Sequence, residues 1–172
     1  MMVSLIQSNW LNFGSGIVVS GWGFGLHNRG NHFSLDPRHP NVIAPGKRTL
    51  HTLIPALAFR GDEPWLAFGA RGGDGQAQTH LQLLERLIGE GLDPEAAVAA
   101  PRWVVRTYDW SVMVEDRFGV EAIDELRARG HRVIVTGPYD SVMGHAHVIA
   151  RAPDGGWLAG ADPRSEGAAL GL

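Results

Sequence analysis

The residues Phe68-Gly69-Ala70-Arg71-Gly72-Gly73-Asp74 follow the apolar run Trp65-Leu66-Ala67 and open a long helical pattern. A strand that ends in paired glycines and turns into a helix leaves several backbone N–H groups free at one point, and the glycines let a substrate come close. Such a corner suits negative charge, either a phosphate or the oxyanion that develops in acyl transfer. A phosphate loop of the Walker type requires Lys and then Ser or Thr after the glycines. Here Gly75, Gln76 and Ala77 follow. That favours the oxyanion, with a plain glycine turn that permits tight strand–helix packing as the alternative. His145 and His147 alternate on a strand-like run and could share a face. No third ligand stands at a fitting spacing and no HExxH pattern occurs, so no metal is expected. Gly21-Trp22-Gly23-Phe24-Gly25 imitates a dinucleotide loop without the helix that must follow, so no cofactor is expected and its aromatics read as packing.

The elements that must position these residues are short. Apolar runs at Ile17–Val19, Leu53–Phe59, Trp65–Phe68, Val104-Val105, Val112–Val114, Val133–Val135, Val148–Ala150 and Trp157–Ala159 read as strands bounded by Gly, Pro and Asp turns. Val3 to Ser8 reads as a strand already under way, which marks the start as a cut end. Arg60-Gly61-Asp62-Glu63-Pro64 and Pro153-Asp154-Gly155-Gly156 are hairpin-like. One helix is expected over 76–90, with Leu81, Leu84, Leu87 and Ile88 on its apolar face, Asp74 as N-cap and Gly91 as the stop. Asp93-Pro94-Glu95 starts a second, running to Pro101. Val120, Ile123 and Leu126 define a third that ends at Gly130. The segment from Asn28 to His51 has no clear periodicity; a loop that long in a compact domain is more often functional than not. Trp65, Trp103 and Trp157 read as core. Strands, then helices, then strands again indicate an α/β or α+β layered fold.

The 172 residues fit a single domain spanning 1–172. A net charge of -3 argues against a basic groove for nucleic acid. The absence of cysteine removes thiol nucleophiles, zinc-thiolate sites and disulfides. No apolar run has the length to span a membrane. The N-terminal residues do not read as a signal peptide, and the expected setting is cytoplasmic, with the periplasm as the alternative.

An ordered set of short pieces covers nearly the whole chain. These are Phe13-Gly14-Ser15-Gly16-Ile17-Val18, Asn28-Arg29-Gly30, Phe33-Ser34-Leu35-Asp36-Pro37, Pro45-Gly46-Lys47-Arg48, Ile54-Pro55, Gly72-Gly73, Ala100-Pro101-Arg102 and Gly160-Ala161-Asp162-Pro163-Arg164. Together they resemble the small, C-terminal subunit of the γ-glutamyltransferase family of N-terminal-nucleophile hydrolases, closer to its acylase-like and oxamate-amidohydrolase-like branches. The resemblance implies part of an αββα layered sandwich. It also implies a small-molecule amide substrate, attacked by a Thr that self-cleavage of a precursor exposes and whose free α-amine serves as base. Alignment by eye puts that Thr roughly a dozen residues before Met1, so the chain would hold the walls of a site without its reactive atom.

By the same resemblance Gly72 and Gly73 form the oxyanion hole, and Ser8 is a hydroxyl that supports the nucleophile. His51 and Thr52 fall where the family holds the substrate carboxylate with two serines. Trp10 stands in place of Asn or Glu, Arg29 in place of Gln, and His32 in place of the Asp that takes the substrate ammonium. Arg29 and His32 would instead favour an acyl group that bears a carboxylate and lacks the amine. An ion pair of Arg29 with Asp36 is the structural alternative. The partner implied is a large-subunit-like segment, or self-association; a non-catalytic binding or assembly module is the rival reading.

Overall fold

The computed structural model describes residues 1–171. Its contacts divide it into two compact units, one made of Met1–Ile6 and the chain from Ile54 onward, the other of Gln7–Leu53.

In the first unit, β1 (Ala56–Arg60), β2 (Glu63–Arg71), β6 (His145–Arg151) and β7 (Trp157–Ala161) form an antiparallel sheet in the order β1-β2-β6-β7. Both hairpin turns stand where the sequence puts them. Alternation along the strands creates two unlike faces. Leu66, Phe68 and Ala70 of β2 lie in register with Ala150, Val148 and Ala146 of β6. All six are buried against Leu83 of α1 (Gln76–Leu84) and against Ala97 and Val98 of α2 (Pro94–Ala99). The opposite face carries Leu57, Ala67, Ile149 and Trp157, of which Leu57, Ile149 and Trp157 are exposed. A second sheet pairs β3 (Trp103–Val105) antiparallel with β4 (Val112–Glu115), and β4 parallel with β5 (Val133–Thr136) across α3 (Val120–Ala128). Val112, Val114 and Ile123 make its small core.

Several expectations need correction. Val3–Ser8 forms no strand. Instead the Ser4 hydroxyl donates to the Phe68 carbonyl (2.7 Å) and accepts the Ala56 N–H (3.2 Å), bridging the β1–β2 pair. Asp74 does not cap α1; Gly75 holds the N-cap position and no side chain caps it. The regular helix ends at Leu84 and widens into a π-helical turn over Glu85–Gly89. Leu81 and Ile88 are 62% and 59% exposed, whereas Gln76, Thr79, His80 and Gln82 are buried. For Gln82 the reason is a hydrogen-bonding one, whereas Gln76 Oε1, Thr79 Oγ1 and His80 Nε2 have no partner among the described residues. The Gln82 amide spans the Trp103 N–H and C=O (3.1 and 2.9 Å), and Gln78 does the same at Val105 (2.7 and 3.0 Å). Two glutamines of α1 thus act as a strand along the free edge of β3 and satisfy groups that burial would otherwise penalise. Trp157, read as core, is exposed. Asp93 caps α2 as expected, its carboxylate accepting the Ala96 N–H at 2.8 Å.

The second unit has no regular strand; Ile17–Val19 reduces to a single bridge, Val18 with Gly25, and Trp22 and Phe24 are exposed rather than packed. Asparagine side chains replace the ladder. Asn28 accepts from Leu11 N–H (3.0 Å) and donates to Gly14 O (3.1 Å), while Asn41 donates to His32 O (2.6 Å) and accepts from Leu50 N–H (3.1 Å). These bonds shape the Asn28–His51 segment around one 3₁₀ turn, Arg29–His32.

Candidate functional site

At the end of β2 the chain passes through Gly72 and Gly73 into one 3₁₀ turn, Gly73–Gly75, and directly on into α1. Gly73 has φ 54°, a left-handed conformation that side chains disfavour. Neither the Gly72 nor the Gly73 N–H has an acceptor among the described residues, while the Gly72 carbonyl accepts from Gly75 N–H (3.0 Å). Two adjacent free donors at the start of a helix are suited to an anionic oxygen.

The corner is braced from behind. Gly144 (φ 77°) packs so close that a Cβ there would overlap the Arg71 carbonyl oxygen. The Gly144 carbonyl accepts from Arg102 Nη1 (3.1 Å), and Arg102, 1% exposed, pairs with Asp162 at 2.6 Å. Asp162 also accepts from Ala146 N–H (2.7 Å) and from Arg164 (3.0 Å), which in turn holds Glu115 at 2.6 Å. Burial pushes the Arg102 guanidinium down to about 10, with Asp162 opposing that shift. Burial by itself would raise the Asp162 carboxyl, but Arg102, the N–H groups of Arg164 and Ala146, and the Arg164 charge hold it below the usual carboxylate value. The Ala100-Pro101-Arg102 and Asp162-Pro163-Arg164 pieces therefore meet in one buried ionic cluster. Beside the corner lies a cavity of about 370 Å³ whose wall includes Ser4, Gly69, Arg71, His145 and His147. Burial, and next the Arg71 charge, lower the His145 imidazole pKa. No group of three or more His, Cys, Asp or Glu that could hold a metal occurs among the described residues.

The other sequence-selected residues all lie in the second unit. Ser8, Arg29 and His51 line a cavity of about 490 Å³, together with His27, Lys47, Arg48 and Thr49. The Ser8 hydroxyl accepts from Trp10 N–H (3.0 Å) and supports a turn in which Trp10 has φ 78°. Thr52 is buried, and its hydroxyl accepts from Arg29 Nη1 (3.4 Å). His51 Nδ1 accepts from Leu53 N–H (3.2 Å). His32 is not in the cavity wall; its ring packs tilted at 57° against Trp10 at a centroid distance of 4.1 Å, and the Arg29 guanidinium lies 5.5 Å from the centre of the Trp10 ring. Arg29 does not pair with Asp36, which Arg38 takes at 3.3 Å. Sequence reasoning did not select His27, Lys47, Arg48 or Thr49 for this site. The signal available was charge: from Gln7 to Leu53 four Lys and Arg stand against one carboxylate.

A family profile described as gamma-glutamyltranspeptidase matches residues 1–172. The chain belongs to the gamma-glutamyltranspeptidase family. It is 42% identical over 174 residues to the glutathione hydrolase-like YwrD proenzyme of Bacillus subtilis strain 168, covering 99% of this chain and 33% of that protein. It is 43% identical over 175 residues to the oxamate amidohydrolase proenzyme of Klebsiella pneumoniae, with the same coverage of each. Among solved structures, cephalosporin acylase from Bacillus halodurans superposes with TM-score 0.86 at 44% identity, covering 94% of this chain and 30% of the other. Gamma-glutamyltranspeptidase from Pseudomonas nitroreducens in complex with L-DON gives 0.85 at 28% identity, covering 99% and 93%. This chain spans about a third of the length of the curated relatives it matches. The fold is thus the N-terminal-nucleophile hydrolase type seen in gamma-glutamyltranspeptidases, and the resemblance read from the ordered motifs is borne out.

Proposed function

We propose that this chain supplies the oxyanion hole and the acyl-binding wall of an amide hydrolase or acyl transferase. The nucleophile would be a Thr in the stretch that precedes the matched third in the longer relatives. The observation that carries this reading is the pair of free, adjacent N–H groups at Gly72 and Gly73. In the proposed reaction the Thr hydroxyl oxygen bonds to the amide carbon while its α-amine takes the hydroxyl proton. The carbonyl oxygen gains the negative charge and receives both glycine N–H groups, which strengthen as that charge grows. The C–N bond then breaks, the proton passes to the leaving amine, and water or an acceptor amine resolves the ester. Arg29, His51 and Thr52, with His32 behind them, would shape the acyl pocket, and Ser8 would stand beside the nucleophile.

On this reading the 172 residues alone are inactive and need a large-subunit-like segment. The relatives named as proenzymes, and the third of their length that this chain spans, support that dependence. The test is amide turnover with glutaryl and γ-glutamyl anilides, by this chain alone and by this chain joined to the preceding Thr-bearing segment of a relative. Turnover is expected only in the second case. There, Gly73→Val, which forces a β-branched residue to φ 54°, should lower kcat by roughly 10²-fold and leave KM nearly unchanged. Turnover by the chain alone, with covalent labelling of one of its own Thr or Ser residues, would overturn the proposal.

A further inference from the structure

We infer that Tyr139 is a positioning residue for the Gly72–Gly73 corner: its ring, seated against Arg117 and facing Arg164, fixes the loop that carries Gly144. This rests on the proposed role of that corner and adds what holds its geometry. Tyr139 has φ 54°, a left-handed conformation that is costly for a bulky side chain and persists only where the surroundings impose it. The surroundings here are cationic. The Arg117 guanidinium lies 3.8 Å from the centre of the Tyr139 ring, and that of Arg164 lies 5.6 Å from it. Arg102, Arg117 and Arg164 share two carboxylates, Glu115 and Asp162. The cluster thus carries one cation in excess, largely shut off from water, and the negative face of an aromatic ring is a favourable neighbour for it.

The loop between β5 and β6 passes this contact on to the corner. Gly137 and Pro138 are exposed, and nothing packs where a Cβ on Gly137 would stand, so the approach from β5 has no support before Tyr139. From Asp140 onward the loop is one stiff piece. The Asp140 carboxylate accepts the Val142 N–H (2.9 Å), its carbonyl accepts the Met143 N–H (3.1 Å), and the Ser141 carbonyl accepts the Gly144 N–H (3.1 Å). Met143, 1% exposed, pins that piece at one point. The Tyr139 ring pins it at a second, so the turn cannot pivot about Met143. Gly144 then meets the corner backbone to backbone: a Cβ on Gly72 would stand 3.6 Å from the Gly144 Cα. Any shift of the turn is thereby delivered to the two free N–H groups, where small misplacements cost rate.

Amide exchange in this chain by itself reads the positioning without turnover. Tyr139→Leu drops the aromatic face, and both the Gly144 N–H and the Gly75 N–H, which bonds the Gly72 carbonyl, should exchange roughly tenfold faster. The Ala97 N–H of α2 should be unmoved. Tyr139→Phe keeps the ring and should match the unmodified chain. Tyr139→Asn suits a left-handed φ but has no ring, and should behave like the Leu variant. In this chain joined to the preceding Thr-bearing segment of a relative, Tyr139→Leu should lower kcat roughly tenfold with KM nearly unchanged, and Tyr139→Phe should restore it. Should Tyr139→Leu fail to fold, Arg117→Met provides the second arm, with Gly144 and Gly75 again quickening together. Faster exchange at Gly144 with Gly75 unchanged would reduce Tyr139 to a cover for the ionic cluster. That result, full restoration by Asn, loss in the Phe variant, or an unchanged kcat in the Leu variant would each overturn the inference. Joint quickening of Gly144 and Gly75 with no turnover by the joined protein would leave the positioning standing and remove the proposed reaction. Turnover that Tyr139→Leu leaves untouched would do the reverse.

Discussion

His80 lies on the buried side of α1, with its ring edge-on to Phe68 at 5.0 Å and its Nε2 buried without a partner among the described residues. Burial pushes its imidazole pKa below the ordinary 6.5, and His145 is shifted the same way by burial and by Arg71. The sign of the consequence follows from proton counting. Below pH 6.5 the unfolded chain takes up protons that these folded rings resist, so the unfolded state binds more and stability falls with acidification. Asp162 acts in the same direction at lower pH: its folded carboxyl is depressed, so its contribution is present above the ordinary 3.8 and is lost as pH falls through the folded value. We therefore expect the melting temperature to drop steadily below pH 6.5, and His80→Gln to flatten the first part of that slope. A melting profile in which the variant and the parent chain fall in parallel would show that His80 is not the group responsible.

The strands and hairpins of the four-stranded sheet were legible because short apolar runs between Gly, Pro and Asp admit little else, and α2 announced itself through Asp93 and Pro94. The buried face of α1 was not legible. Periodicity finds apolar stripes, and this helix buries glutamines because a neighbouring strand edge needs donors and acceptors. No pattern of hydrophobicity contains that requirement. The glycine corner at Gly72-Gly73 could be read, but its support could not: Gly144 and Asp162 stand 42 and 60 residues from Arg102 in sequence and meet it only in the fold. The glutamine clamp gives a sharp expectation. Gln82→Met preserves length and apolar packing but strands the Trp103 N–H and C=O, and should cost about 1–3 kcal/mol. Amide exchange at Trp103 should quicken more than at Val114 across the β3–β4 pair. Uniform quickening along both strands would mean that the whole sheet, rather than the edge, had loosened.

At the scale of the molecule, the first unit has a sheet covered by helices on one face only. The other face carries Leu57, Ile149 and Trp157, each about half exposed, and Ala67, Ile149, Trp157 and Ala159 of that face wall a cavity of about 650 Å³ together with Met1, Met2, Val3 and residues 169–171. Single exposed apolar residues are ordinary, but a contiguous set on one face of a sheet, aligned by the Ala67–Ile149–Ala159 register, is not. A layered fold with two sheets facing each other gives such a face an occupant, namely a second sheet of matching apolar side chains. The relatives carry about two further thirds of sequence outside the region matched here, which is enough chain to supply it. We expect this chain by itself to self-associate at micromolar concentration, to enhance an apolar dye, and to lose both properties when a large-subunit-like segment from a relative is added. Replacing Ile149 and Trp157 by Lys should leave the helix-covered core intact, since neither residue belongs to it, and yield a monomer that no longer takes up that segment. A monodisperse, dye-silent monomer in sedimentation of the unmodified chain would show that the face needs no cover. The dependence of the proposed activity on a second segment would then lose its structural support, while the Gly72–Gly73 corner, which belongs to the same unit but not to that face, would be untouched.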